Sequence, residues 1–429
     1  MKTDSAPIHN EPGMGSYRWK ICALLFFATT INYIDRQVLG ILAPTLQSEF
    51  GWSQSQYGAI VSWFTFAYAI GYAGVGRLFD KVGTRIGFAF SVTVWSLAAM
   101  GHALASSARG FAISRFALGI GESGNFPGAL KAVAEWFPVK ERALATGIFN
   151  AGSNVGAMVT PLIVPFIAVR WGWRMAFIVT GALGFLWLAA WLATYRVPEQ
   201  HPSVTPAELA HIRSDPPEST APVPWGSVFG YRQTWAFVAG KALTDPVWWF
   251  YLFWLPKFLD AQYGVRLAAV ALPLITIYLL ADVGSIAGGW FSSNLIKRGW
   301  TVNKARKTAL LAAAIAIVPT MFAPSAPTLW ATVAFVALAA TAHQWWSTNL
   351  FTISGDMFPR RAIGTVVGMG GFAGAMSGFF FQRLVGYVLD ANGNNYAPIF
   401  VFCGLAYVTA FAVIHLLVPR MQPAPIKAA

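Results

Sequence analysis

Apolar runs separated by short polar gaps recur from one end of the chain to the other. The longer runs reach the roughly 20 residues that carry an α-helix across a bilayer. The pattern predicts twelve spans, at about 19–46, 55–76, 84–106, 110–134, 142–168, 172–195, 234–259, 267–296, 306–323, 327–354, 361–388 and 396–418. The widest polar gap, "PEQHPSVTPAELAHIRSDPPESTAPVP" within about 197–232, is rich in Pro, Ser and charge and reads as a linker between two groups of six spans. Within it Thr205, Pro206 and Glu208 stand where an N-cap, a first-turn proline and a capping-box glutamate belong, so a short surface helix is expected. The expected organisation is a tail over 1–18, a six-helix bundle over 19–196, the linker over 197–232, a second six-helix bundle over 233–419 and a tail over 420–429. The fold class that follows is an all-α membrane protein of twelve transmembrane helices in two six-helix bundles.

The two groups share a segment. "EWFPVKERALATG" (135–147) and "DMFPRRAIGTVVG" (356–368) align without a gap at an offset of 221 residues. Each has an acid, then Phe-Pro, then a basic residue, then a glycine nine residues after the proline. A repeat related by an axis along the membrane normal is one of the two symmetries that secondary transporters use.

Composition sharpens this reading. Of the 429 residues 56% are hydrophobic, 15% aromatic and only 11% charged, against about 25% charged in a soluble domain. The net charge of +13 does not call for a nucleic-acid partner, because the basic residues gather in alternate polar gaps. Arg77, Lys81 and Arg85 occupy one such gap, Lys140 and Arg142 another, Lys297, Arg298, Lys304, Arg306 and Lys307 a third, and Arg360 and Arg361 a fourth. The intervening gaps carry few: Arg109, Arg170, Arg174 and Arg266. By the positive-inside rule both termini are expected in the cytoplasm. The first residues, "MKTDSAPIHNEPGMGS", have no apolar core or small-residue cleavage site and read as a polar tail. Cys22 and Cys403 are too few and too far apart for a disulfide framework or a metal cluster.

Charges inside such spans carry the chemistry. Asp35 and Arg36 stand together near the centre of the first span, where a charge costs about 2.5–3.5 kcal/mol on insertion scales. Adjacent helical residues point about 100° apart, so each is expected to look to a different partner. The fourth span offers Arg115 and Glu122, two turns apart on one face. Arg36, a fixed fork of donors, suits the carboxylate of an anionic substrate. Asp35 and Glu122 suit proton carriage, because a carboxylate left without a cation in a dry cavity gains by taking a proton. Arg115 is expected to alternate between them. A salt-bridge network that simply ties spans one and four together is the structural alternative.

Further candidates lie in the second half. Lys241 and Asp245 are one turn apart in the seventh span, with Pro246 and Pro256 able to kink it. Asp245 is read as a coupling group and Lys241 as a substrate contact, or as a lysine that snorkels to the interface. His343, beside Gln344, falls at the repeat position of Glu122. Asn349, Ser347 and Gln382 could bond sugar hydroxyls or join helices. Tyr33, Trp345 and the pairs Trp248-Trp249 and Trp345-Trp346 could stack on a sugar ring. In the fifth span, Asn150 and Asn154 lie one turn apart as ligand or helix contacts.

Between spans two and three, "GRLFDKVGTR" places Gly76, Asp80, Gly83 and Arg85 at the spacing G-x-x-x-D-x-x-G-x-R. Here the chain resembles the major facilitator superfamily, whose signature loop has this pattern, and a gating role is implied for it. The second copy, "GGWFSSNLIKRG" (288–299), lacks the aspartate. "NYIDR" followed by "RFALGIGES…FP" looks like the anion:cation symporter family within that superfamily, which includes carriers of hexuronates, galactonate and glucarate. In its proton-coupled members an Asp-Arg pair in the first span and an Arg and Glu in the fourth do the work. Those positions correspond to Asp35, Arg36, Arg115 and Glu122. The stretch "AHQWWSTNLFTISGDMFP" (342–359) is similar to the hexuronate branch.

The expectation is a transporter and not an enzyme, importing a sugar acid with a proton by alternating access, with glucuronate or galacturonate as the best substrate. No metal and no cofactor beyond the coupling proton are expected, and no phosphate-binding loop of the G-x-x-x-x-G-K-[ST] type points to ATP. The lipid bilayer, a small organic anion and a monomeric unit in a bacterial inner membrane complete the picture. The alternatives are a galactonate or glucarate carrier, an organophosphate/phosphate exchanger, and a membrane sensor of sugar acids.

Overall fold

The computed structural model describes residues 15–215 and 225–425, which are helical with no strand among them. The first half comprises α1 (Tyr17–Phe50), α2 (Gln54–Gly101), α3 (Ala108–Glu122), α4 (Asn125–Trp136), α5 (Val139–Trp171) and α6 (Trp173–Thr194). A short α7 (Pro206–Ile212) follows, and the second half comprises α8 (Arg232–Tyr263), α9 (Ala271–Lys297), α10 (Val302–Ile317), α11 (Leu329–Met357), α12 (Arg360–Ala391) and α13 (Ala397–Leu417). Two differences from the expected spans have local causes. The second and third spans run on as α2, turned only at Gly83, whose φ of 78° and ψ of 164° are left to glycine by the absence of a Cβ. The fourth span is broken at Ser123-Gly124 into α3 and α4. Counted as rods, these elements make six in each half.

Among the described residues, seven helical stretches are long and apolar enough to cross a membrane, the most apolar being Ala397–Leu417 with a mean hydropathy of 2.2. The rods α1 and α8 are not among them, and these two carry Asp35 and Arg36, and Lys241, Asp245 and Lys257, within their length.

The repeated segment folds as a repeated turn. Phe137 and Pro138 have φ/ψ of −128°/135° and −63°/155°, and Phe358 and Pro359 have −124°/144° and −64°/147°. Each proline starts a helix where its missing N–H costs nothing. The acid that opens each segment is also held: Glu135 accepts from Thr84 at 2.6 Å, and Asp356 accepts from the Arg306 guanidinium at 3.0 Å. In α7 the Thr205 hydroxyl caps the Glu208 amide at 3.2 Å as expected. The capping box is only half made, because the Glu208 carboxylate accepts instead from the backbone N–H of Arg18 at 3.0 Å.

The halves meet through α1 with α8, α2 with α12 and α5 with α9. Their closest joints lie at the end holding residues 50–58 and 382–394. There the Asp390 carboxylate accepts from the Gln54 and Ser55 amides at 2.9 and 2.8 Å, capping α2 from across the interface, and the Tyr57 hydroxyl donates to the Phe253 carbonyl at 2.5 Å. Backbones approach so closely that an added Cβ at Gly58 would lie 2.5 Å from the Gln382 carbonyl oxygen. Toward the opposite, basic end the glycines of α12 approach α2 less closely. Gly364, Gly368 and Gly371 share one face of α12, yet only Gly371 still meets α2, at Tyr72, while the other two face open space.

Candidate functional site

Glycines set the frame of the site. An added Cβ at Gly119 would stand 2.4 Å from the Phe64 carbonyl oxygen, and one at Gly121 would stand 2.5 Å from the Trp95 amide nitrogen. Small residues of this kind let helices close on one another in a bilayer. They press α3 onto α2 and bring its last residue, Glu122, into the interior, where it is fully buried.

Arg36 reaches Glu122 from α1. Its Nε donates to Glu122 Oε2 at 2.8 Å and its Nη2 donates to Asn32 Oδ1, one turn back on the same helix, at 3.0 Å. Four rings surround the guanidinium, with centroids at 4.5 Å for Tyr33, 5.1 Å for Tyr68, 5.3 Å for Phe64 and 5.5 Å for Trp249. Trp249 comes from α8, so the cage spans both halves. Such contacts strengthen when water is excluded.

Around this pair several polar atoms have no hydrogen-bond partner among the described residues. Both carboxylate oxygens of Asp35, Glu122 Oε1, and the Nε and Nη2 of Arg115 are buried in this condition. Arg115, expected to alternate between the two acids, bonds neither of them in this state. Its Nη1 instead donates to the backbone carbonyl of Arg36 at 3.0 Å. Asp35 and Arg36 do look in different directions, as adjacent helical positions require.

The other second-half candidates form groups separate from Arg36. Lys241 and Asp245 bond each other along α8 at 2.8 Å, and an added Cβ at Gly374 of α12 would fall 2.1 Å from Asp245 Oδ2. His343 Nδ1 hydrogen-bonds the Tyr407 hydroxyl at 2.5 Å, and its ring stacks on Trp248 with centroids 4.7 Å apart and planes at 5°. Asn349 donates to the Gly288 carbonyl at 3.0 Å, and Trp345 covers the same glycine. The structure therefore places Asn349 and Trp345 in the seam between α9 and α11 and not beside Arg36. Gln344 is half-buried, while Asn150 is exposed on α5.

The loop of Gly76, Asp80, Gly83 and Arg85 bonds within its own half. Asp80 pairs with Lys131 of α4 at 2.7 Å, and Arg85 donates to the Leu192 carbonyl at 2.5 Å.

Sequence reasoning missed three members of the Arg36 cage or its support. Asn32 had a signal, its place four residues before Arg36. Phe64 and Tyr68 had only their one-turn spacing on α2, which an ordinary apolar face would share.

A buried ion pair lies midway along a two-fold repeated bundle of apolar helices, and the family match makes this bundle an integral membrane transporter and not an enzyme. The chain belongs to the Major Facilitator Superfamily, whose model matches residues 25–382. It is 33% identical over 396 residues to the "Hexuronate transporter" of Escherichia coli strain K12, covering 89% of this chain and 90% of that relative. It is 34% identical over 279 residues to the "Galacturonate transporter" of Dickeya chrysanthemi, covering 64% of this chain and 81% of that one. In fold it is similar to a bacterial homologue of the human lysosomal transporter Spinster, with a TM-score of 0.73, 21% identity, and 96% and 100% of the two chains covered.

Proposed function

We propose that the chain is a proton-coupled importer of a sugar acid, with a hexuronate such as glucuronate or galacturonate as its substrate. The observation that carries this is Arg36. It is a buried guanidinium held by one carboxylate, Glu122, and one amide, Asn32, inside a cage of aromatic rings. A hexuronate offers what such a site takes: a planar carboxylate for the fork of donors and an apolar ring face for Tyr33, Tyr68 and Trp249. The relatives named as hexuronate and galacturonate transporters support the substrate class.

Coupling follows from competition for Arg36. A substrate carboxylate that takes over the guanidinium displaces Glu122, and a carboxylate left without its cation in a dry interior is relieved by taking a proton. Asp35, next to Arg36 and with Thr180 and Arg115 near its carboxylate, is the neighbouring group that receives or passes on that proton. The halves then rock about the occupied site. The joint at Gln54, Ser55 and Asp390 closes the outer end, and the basic end faces the cytoplasm with both termini, in a bacterial inner membrane. The unit is a monomer, and its linker over 197–232 joins the two bundles.

Uptake of labelled glucuronate into proteoliposomes under an inward proton gradient tests the proposal. Gradient-driven uptake that galacturonate blocks supports it. Uptake indifferent to the gradient, or exchange seen only with a hexose phosphate, overturns it and favours an organophosphate exchanger.

A further inference from the structure

The second half holds a carboxylate that nothing above uses. Asp282 lies in the middle of α9, and it and Lys297 are the only charged residues of the stretch Leu267–Lys297, which has a mean hydropathy of 2.0. The residue is half-buried, and its Oδ1 is buried without a hydrogen-bond partner among the described residues. A structural aspartate in an apolar helix would be bonded, because an unpaired buried polar atom is costly.

Three arcs divide the surface of α9. Leu279, Val283, Ile286 and Trp290 are exposed at 52%, 54%, 77% and 65%, and their helical spacing puts them on one lipid-facing stripe. Ile277, Ala281, Gly284 and Gly288 are buried, and an added Cβ at Gly284 would lie 2.1 Å from the Thr341 carbonyl oxygen of α11. Asp282 is on neither face. It shares the third arc with Tyr278, Ser285, Gly289 and Ser293, at spacings of three and four residues. That polar arc starts near the centre of the molecule, where the Tyr278 ring meets Trp248 at 6.3 Å, the same tryptophan that stacks on His343. It passes the Ser285 hydroxyl, bonded to Thr348 of α11 at 3.1 Å, and runs toward the basic end.

We propose that Asp282 is a second-half proton site of the transport cycle, loaded and unloaded along this polar arc. The inference rests on the proton-coupled reading above. The step is a simple one: a proton from water on one side joins the carboxylate, and the neutral carboxyl returns it on the other. No charge is set against Asp282 by the elements around it. On α11, His343 is engaged by Tyr407 and Trp248, and Asp356 is paired with Arg306 of α10. Lys307 of α10 donates to the Val418 and Pro419 carbonyls at 2.6 Å, and Lys304 lies over Trp300. The charged residues of α5 are Lys140, Glu141 and Arg142 at one end and Arg170 at the other. Tyr278 and Lys297 complete the ionisable groups of α9 itself.

The test compares the whole transporter with Asp282→Asn in proteoliposomes, with the membrane potential held at zero and a pH gradient of about one unit. Loss of one coupled proton lowers the steady-state accumulation of glucuronate about tenfold, while exchange at equal pH persists. Unchanged accumulation in Asp282→Asn overturns the inference and leaves the proton-coupled reading intact. Absence of gradient-driven uptake in the unaltered protein overturns that reading instead. A second measurement does not depend on transport or on a well-behaved Asn variant: infrared difference spectra across a pH titration. A carboxyl band that shifts in Asp282→Glu supports the site, and an identical spectrum in that variant contradicts it.

Discussion

The polar groups of the two halves are built on different terms. In the first half, Arg36 and Glu122 bond each other while both oxygens of Asp35, one of Glu122 and two nitrogens of Arg115 go without partners among the described residues. In the second half, Lys241 is closed on Asp245 along its own helix and His343 on Tyr407 and Trp248, and the unpaired buried atoms, such as Asp282 Oδ1 and Asn349 Oδ1, are scattered and not gathered around one ion pair. Spare hydrogen-bonding capacity inside an apolar bundle costs stability. A cluster that keeps it is poised to exchange partners, whereas a paired group serves as a wall. Under the proposed function, the Arg36–Glu122 group of the first half binds the anion and exchanges partners, the paired groups of the second half shape the cavity, and Asp282 is the second-half exception.

Substitutions can break or sharpen this contrast. The largest effect is expected from Arg36→Ala, which removes the anion ligand and strands Glu122; glucuronate binding should weaken by about 3 kcal/mol, on the order of a hundredfold. Arg36→Lys should restore little, because an ammonium cannot reproduce the fork. Next comes Glu122→Gln, which should keep glucuronate exchange at equal pH but lose accumulation against a gradient. Gly374→Ala would drive a methyl group into Asp245, and overpacking of this kind costs about 1–3 kcal/mol, seen as a lowered melting temperature. Asp390→Asn should release part of the cap on α2. A lost cap is worth about 1 kcal/mol, and the variant should label faster at a cysteine placed by the outer joint. The smallest effect is expected from Asn349→Ala, a change within the α9–α11 seam that should alter thermal stability more than glucuronate affinity.

Much of the architecture was legible because membranes impose a coarse code. Run length and charge alternation predict twelve rods in two sixes, and "EWFPVKERALATG" and "DMFPRRAIGTVVG" announce the repeat that folds as matching turns. The break in the fourth span had a signal that the span pattern overrode: "GESGNFPG" gathers Gly124, Asn125 and Pro127 within an otherwise helical run. The charged members of the site were also visible, since Asp35, Arg36, Arg115 and Glu122 are conspicuous in apolar runs. Their pairing was not. Which acid meets Arg36 depends on how far Gly119 and Gly121 let α3 approach α2, and helical spacing within one span says nothing about that distance. Asp282 was as conspicuous in its apolar run as Asp35 was, but no second charge in its span pointed to a partner, and its place only emerges once the faces of α9 are assigned.

The most direct test of the account is the number of protons taken up when glucuronate binds. Titration calorimetry in buffers of different ionisation enthalpy gives that number for the purified protein and for Glu122→Gln, without any membrane or gradient. The account predicts net proton uptake on binding in the unaltered protein, and a clear reduction in Glu122→Gln, because the substrate carboxylate displaces Glu122 from Arg36. Binding with no proton uptake, or with the same uptake in both proteins, would contradict the exchange of partners at Arg36.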